Sequence, residues 1–384
     1  MNVRREPYLL LGAAVVLLIS LAGCGFDVVK APEPALKIGL LAGLSGATAE
    51  IGTEVRRGAE LAIRDLNRRG GVDGRRLELV VEDDEGDPDK GSELTRKLVT
   101  EDKVFAIVGS TDPGVTLASM EVAWESRTVQ MSPTDTPDKL TQVGNPYFFR
   151  LGTRDSDIAR LLTRYAARKY QNIGIIHDSS TWGKDGMKAV ARELKAVGKP
   201  AVSVQSHPRR ALDLSLQVAK SQKAGAEAVI VWATGRDAAA IVKQMRRAGF
   251  TAAVVGGPGL AMKSFPILAR ELAESAVLTD SLDPDKPVAK SFIEMYESTY
   301  SEPLSIDWAP KAYDSVMVLV DGLRRAGGSR SGLRDALETV SNYEGVCGRR
   351  NARIGFAADK HTGLGIDALL LKTWRDGGAV KIRP

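Results

Sequence analysis

The sequence predicts an α/β protein with two lobes, each built on a parallel sheet covered by helices. From residue 36 onward short apolar runs alternate with amphipathic stretches of helical period, which is the pattern of strands joined by helical crossovers. The strands counted in this way are too many for one compact open sheet. A length of 384 residues also exceeds one ordinary domain core and corresponds to two domains of roughly 150 residues.

The elements follow in order. Residues 36–42 (LKIGLLA) read as a buried strand, and residues 53–69 as a helix, because Val55, Ala59, Ala62, Ile63 and Leu66 recur on one face. The glycine-rich 70–74 segment ends that helix, and 77–82 forms the next strand. Asp87 followed by Pro88 gives an N-cap and a first-turn proline, opening a helix to about residue 102. Further strands are expected at 104–109, 128–132, 172–178, 201–205, 228–234, 253–256 and 276–280. Helices are expected after the 110–114 loop and at 155–169, 183–197, 213–224, 237–248 and 286–300. Two more helices, 308–326 and 332–339, break the alternation, and strands at 353–356 and 368–374 close the chain with a hairpin turn at 375–378.

Hydrophobic residues make up 43% of the chain and charged residues 26%, which excludes a polytopic membrane protein, a disordered chain and a collagen-like repeat. The net charge of +5 is dispersed rather than blocked, so nothing favours a nucleic-acid partner. Three His and two Cys argue against a disulfide scaffold and a zinc site. The first 24 residues are of another kind. Arg4 and Arg5 precede an apolar run over 9–21 that ends in Leu21-Ala22-Gly23-Cys24. This resembles the lipobox of bacterial lipoproteins, in which Cys24 is lipidated and becomes the mature N-terminus; a signal anchor with an incidental cysteine is the alternative. Residues 1–23 then form the signal peptide and 24–35, with Pro32 and Pro34, a lipidated tether. Cys347 is left without an intramolecular partner and is expected to be buried.

No catalytic signature is present, and the chain is read as a non-enzyme without cofactor or metal. There is no G-x-S-x-G, and Asp178 stands where a P-loop before Gly183-Lys184 needs glycine. Gly257-Pro258-Gly259 has Met262 in place of the third glycine of a dinucleotide loop and reads as a turn. The acidic run 82–87 lacks calcium-loop spacing and reads as a solvated strand end leading into a helix cap. His177, His207 and His361 are scattered, without metal-ligand spacing. The informative residues follow predicted strands, where open α/β sheets bind ligands. Ser110-Thr111-Asp112-Pro113-Gly114 and Ser132-Pro133-Thr134-Asp135-Thr136 offer hydroxyls and backbone N–H groups suited to a small anion, or simply cap helices.

In order along the chain, Ile38-Gly39-Leu40-Leu41, Leu44-Ser45-Gly46, Arg57-Gly58-Ala59-Glu60-Leu61-Ala62, Asn67, Gly70 to Gly74, Glu82-Asp83-Asp84, Asp87-Pro88, Val108-Gly109, Ser132-Pro133, Ala248-Gly249 and Ala312-Tyr313-Asp314 resemble class I periplasmic binding proteins. The set is similar to the leucine/isoleucine/valine-binding subfamily that serves ABC importers. The resemblance implies two Rossmann-like lobes joined by a three-segment hinge: 36–150 with 282–365 as the N-terminal lobe, and 151–281 with 366–384 as the C-terminal lobe. It also implies a monomeric, extracytoplasmic protein, held to the membrane through its N-terminal lipid. The expected function is delivery of a branched-chain amino acid or related small amphipathic solute to ABC permease subunits. A sensor or regulator of the same fold without a permease is the alternative, and an exported hydrolase or transferase a third reading.

The site residues implied are specific. The 110–114 loop matches the family loop that meets the α-carboxylate and ammonium, with Asp112-Pro113 where Ser or Thr is usual. Thr134, Asp135 and Thr136 match the segment that donates to the carboxylate. Trp182 stands for a tyrosine that covers the apolar side chain, and Ile51 and Thr234 replace two other aromatics. Pro258 occupies the place of the acidic residue that pairs with the ammonium. A buried ammonium without a carboxylate is costly, so either Asp112 or Asp135 substitutes or the ligand is not a simple α-amino acid.

Overall fold

A computed structural model describes residues 33–382 apart from Ser305. The expected signal sequence, Cys24 and most of the tether lie outside the described residues.

Five strands form the first sheet: β1 (Leu36–Ala42), β2 (Leu77–Asp83), β3 (Ala106–Gly109), β4 (Val129–Ser132) and β5 (Phe148–Arg150). They are parallel throughout, in the order β2-β1-β3-β4-β5. Because β2 and β3 lie on opposite sides of β1, the order reverses between β1 and β3, and a crevice opens at their carboxyl ends. The intervening helices α1 (Ala49–Arg68), α2 (Pro88–Thr100) and α3 (Pro113–Glu125) cover the sheet. Asp87 caps α2 as expected, its carboxylate accepting the Asp89 and Lys90 N–H groups at 2.8 and 3.2 Å.

The chain then builds α4 (Asp155–Lys169), β6 (Ile173–Asp178), α5 (Thr181–Ala196), β7 (Ser203–His207), α6 (Ser215–Lys223), β8 (Ala228–Trp232), α7 (Gly235–Arg247), β9 (Ala253–Gly256), α8 (Ser264–Ala269) and β10 (Ala276–Asp280). Next come α9 (Pro287–Tyr300), α10 (Trp308–Arg325) and α11 (Leu333–Leu337), then β11 (Leu370–Arg375) and β12 (Gly378–Lys381). The second sheet has the order β12-β11-β10-β9-β8-β6-β7, parallel except for the antiparallel pairs β10–β11 and β11–β12. Helices α9 to α11 do not continue this sheet. Their Phe292, Tyr296, Val316, Leu319, Leu323 and Leu333 share a buried core with Ile38, Leu40 and Val108 of the first. Helix α10 crosses α1 at Gly58, where an added Cβ would come within 2.0 Å of the Ala309 carbonyl oxygen. Apolar residues fill both faces of each sheet, and this explains why most strands read as continuous apolar runs rather than alternating ones.

Several expectations need correction. The strand expected at 353–356 is absent; Ile354 makes only a single antiparallel bridge to Tyr343, and the closing hairpin is β11 with β12. The segment 148–150, given no element in the sequence reading, is the edge strand β5, too short at three residues to display a period. Helix α1 starts at Ala49 rather than at residue 53, and β7 runs to His207 rather than ending at 205. The acidic run is not simply solvated: Asp84 is fully buried and accepts the Ser110 hydroxyl at 2.6 Å and the Gly86 N–H at 2.8 Å. Asp83 Oδ1 accepts the Leu44 and Glu85 N–H groups, both at 2.9 Å. Cys347 is buried and unpaired, and burial pushes its thiol well up. Among the described residues no helix is long and apolar enough to cross a membrane.

Candidate functional site

The carboxyl ends of the two sheets face one cleft of about 550 Å³. Its lining follows the strands one by one. Thr48 and Ile51 come after β1, Thr111 and Asp112 after β3, and Thr134, Asp135 and Thr136 after β4. From the second sheet Trp182 follows β6, Arg209 follows β7, Thr234 follows β8, and Pro258 and Met262 follow β9. Trp308, at the start of α10, adds a further wall. A parallel sheet aims all its strand ends the same way, so residues far apart in sequence meet at one edge.

Each group is held by local structure. Asp112 caps α3, its Oδ1 accepting the Gly114 N–H at 2.8 Å. The 135–137 carbonyls are gathered by fully buried Arg150 of β5, which donates to those of Thr136 and Pro137 at 2.8 and 2.7 Å. Burial lowers the Arg150 guanidinium to about 10. Asp135 accepts hydroxyl hydrogens from Thr116 and, at 3.1 Å, from Ser132. Burial pushes its carboxyl up to about 7, against the pull of the Thr116 bond. Ser180 caps α5 by accepting the Gly183 N–H at 3.1 Å, fixing the turn that presents Trp182. The Trp182 ring tilts against Trp232, centroids 6.1 Å apart, and its Nε1–H points to Thr136 Oγ1 at 3.3 Å across the cleft. Gly259 lets the 258–261 turn close over β8, since a Cβ there would lie 1.7 Å from the Ala233 oxygen.

Nine of the ten residues singled out in the sequence therefore line one cleft: Ile51, Thr111, Asp112, Thr134, Asp135, Thr136, Trp182, Thr234 and Pro258. Ser110 does not. It sits behind the loop, its hydroxyl committed to Asp84 and its oxygen accepting the Thr111 N–H at 2.6 Å. Sequence reasoning missed Thr48, Arg209, Met262 and Trp308. The strand-end rule reaches Arg209 only if β7 extends to His207, two residues beyond its expected limit. Among the described residues no group of three or more His, Cys, Asp or Glu converges as a metal site. The histidines are engaged elsewhere; His361, for one, stacks on Phe149 with centroids 4.0 Å apart and meets Glu338 at 3.1 Å.

A family model described as Periplasmic binding protein matches residues 35–378. The chain belongs to that family. Among curated relatives, this periplasmic binding protein is 29% identical over 297 residues to Leu/Ile/Val-binding protein homolog 3 of Brucella melitensis, covering 76% of this chain and 79% of that one. It is 28% identical to an amino acid binding protein of Pseudomonas aeruginosa, covering 76% and 78% respectively. Among solved structures, it matches the branched-chain amino acid transporter substrate binding protein LivJ of Streptococcus pneumoniae, in complex with isoleucine. That match has a TM-score of 0.81 and 26% identity, over 91% of this chain and all of that one. The periplasmic binding protein type 1 of Bordetella pertussis shares the fold at a TM-score of 0.82 and 24% identity, over 91% of this chain and 100% of the other. The fold is that of periplasmic binding proteins of type I, as the sequence implied.

Proposed function

We propose that this chain is the extracytoplasmic solute-binding component of an ABC importer and takes a branched-chain amino acid or related small amphipathic solute in the cleft. The observation that carries the reading is the convergence of hydroxyls, apolar rings and one guanidinium from seven strand ends of two sheets on one cavity. Family membership and the names of the relatives support it. In this reading Thr111, Thr134 and Thr136 meet the polar end of the solute, and Trp182, Ile51 and Pro258 its apolar end. The lobes 36–150 with 282–365 and 151–281 with 366–384 close on it about the crossovers near residues 150–154, 280–282 and 363–367. Trp182 to Thr136, Lys139 to Asp185 at 3.2 Å and Lys263 to Glu54 at 3.0 Å tie the two sides together. Cys24 carries the lipid that keeps a monomeric receptor beside its permease.

Thermal denaturation against a panel of branched-chain amino acids, their amides and aromatic acids tests this. A solute at 100 times its Kd stabilises by about 2.7 kcal/mol, which raises Tm by several degrees. A panel in which no small molecule raises Tm contradicts the proposal.

A further inference from the structure

The charged groups of the cleft discriminate between the two chemistries that Pro258 leaves open. Three charged side chains line it: Asp112, Asp135 and Arg209. Asp112 gives one oxygen to the cap of α3 and turns the other toward Arg209, 4.0 Å away. Asp135 is 3% exposed and spends Oδ2 on the Thr116 and Ser132 hydroxyls. Each carboxylate already faces a neighbour: Asp112 the Arg209 guanidinium, and Asp135 two hydroxyl donors. Arg209 keeps more of its hydrogen-bonding capacity. It reaches across the mouth on two long contacts, 3.5 Å to Asp178 and 4.0 Å to Asp112, with its side chain 29% exposed. A guanidinium has five N–H donors, and these two contacts leave most of them unfilled.

The hydroxyls tell the same way. Thr111 Oγ1 already accepts the Gly43 N–H at 3.1 Å, so its own hydrogen is what it offers to the cleft. Thr134 Oγ1 is buried without a partner among the described residues. Arg209 and the Thr111 hydroxyl thus hold donors that a carboxylate brought into the cleft can take, while an ammonium would have to compete with Arg209 for Asp112.

We propose that the cleft selects a small apolar carboxylate lacking an α-ammonium group, with Arg209 as the residue that determines this choice. The inference rests on the cleft being the solute site, and the experiment separates the two. Calorimetric titration of the mature chain uses two matched trios: 4-methylpentanoate, leucine and 3-methylbutylamine, then 3-phenylpropanoate, phenylalanine and 2-phenylethylamine. In at least one trio the acid is expected to bind tenfold or more tighter than its amino acid, with the amine weakest. R209Q is expected to weaken the acid at least tenfold, and R209K to retain part of the affinity. An amino acid or amine that binds as tightly as its acid in both trios overturns the inference and leaves the site standing. Acid affinity unchanged in R209Q also overturns it. No binding by any of the six contradicts both the inference and the site.

Discussion

Trp182 shows how much one side chain contributes. It stands on the first turn of α5, packs on Trp232 and spans the cleft to Thr136. Trp182→Ala removes stacking and buried area worth on the order of 1–3 kcal/mol of solute affinity, a Kd rise of roughly five- to 150-fold by calorimetry. An unchanged Kd places the tryptophan outside the site. Asp155 governs a different property. It is 1% exposed, and burial pushes its carboxyl up to about 7 against the pull of the Thr136 hydroxyl. Asp138 and Asp185 raise it further, and Arg150 opposes them. An unfolded aspartate titrates near 3.9, so between roughly pH 4 and 7 the folded chain holds a proton that the unfolded chain has released. Stability from this group therefore falls as pH rises through that window, by up to about 1.4 kcal/mol per unit. Asp155→Asn keeps the neutral shape and is expected to flatten the decline of Tm between pH 5 and 7; an identical slope contradicts the assignment. Buried Lys372 pairs with fully buried Asp280 at 2.7 Å. Lys372→Met strands that carboxylate and is expected to cost about 3–5 kcal/mol in a urea melt. None of these burials was legible in the sequence, where Asp155 reads as an ordinary first-turn acid and Lys372 as a polar interruption of a strand.

Elements were more legible than the bonds that hold them. Asp87 with Pro88 announces the start of α2 because capping is a local transaction between a carboxylate and the next two N–H groups. Asp87→Ala is expected to cost about 1 kcal/mol, read as a shift of the denaturation midpoint with unchanged cooperativity. The strand at 353–356 failed for the complementary reason: an apolar run can be buried without a neighbour to pair with, and Ile354 is buried under α10 and α11 with one bridge only. The short β5 failed because three residues carry no period, yet it brings Arg150 under the cleft loop. Helix α1 begins four residues early and so delivers Ile51 to the cleft rather than to a loop. Its first two turns also reach the start of α8. Glu50 accepts the Ser264 N–H and Glu54 the Lys263 ammonium, both at 3.0 Å. Glu302, held down at about 2 chiefly by its bond to Arg57, shares that lysine at 3.0 Å.

At the scale of the whole molecule, two largely parallel sheets place seven strand ends around one cavity. The alternation of strands and helices made this arrangement legible, since parallel order follows from helical crossovers. The return of α9 to α11 to the first sheet was implied only by family resemblance, because nothing in a helix's periodicity says which sheet it will cover. The same limit applied to Arg209, whose place in the cleft depends on where β7 stops. The central claim is that this cavity holds one small solute per chain. Calorimetric titration of wild type and Thr234→Trp, with a solute that raises Tm, tests it most directly. Thr234 lines the cleft without a side-chain cap bond, so the added ring fills the cavity while α7 keeps its start. The account predicts one site per wild-type chain and no measurable binding by the filled variant, with its unliganded Tm close to that of wild type. Undiminished binding by the folded variant would contradict it.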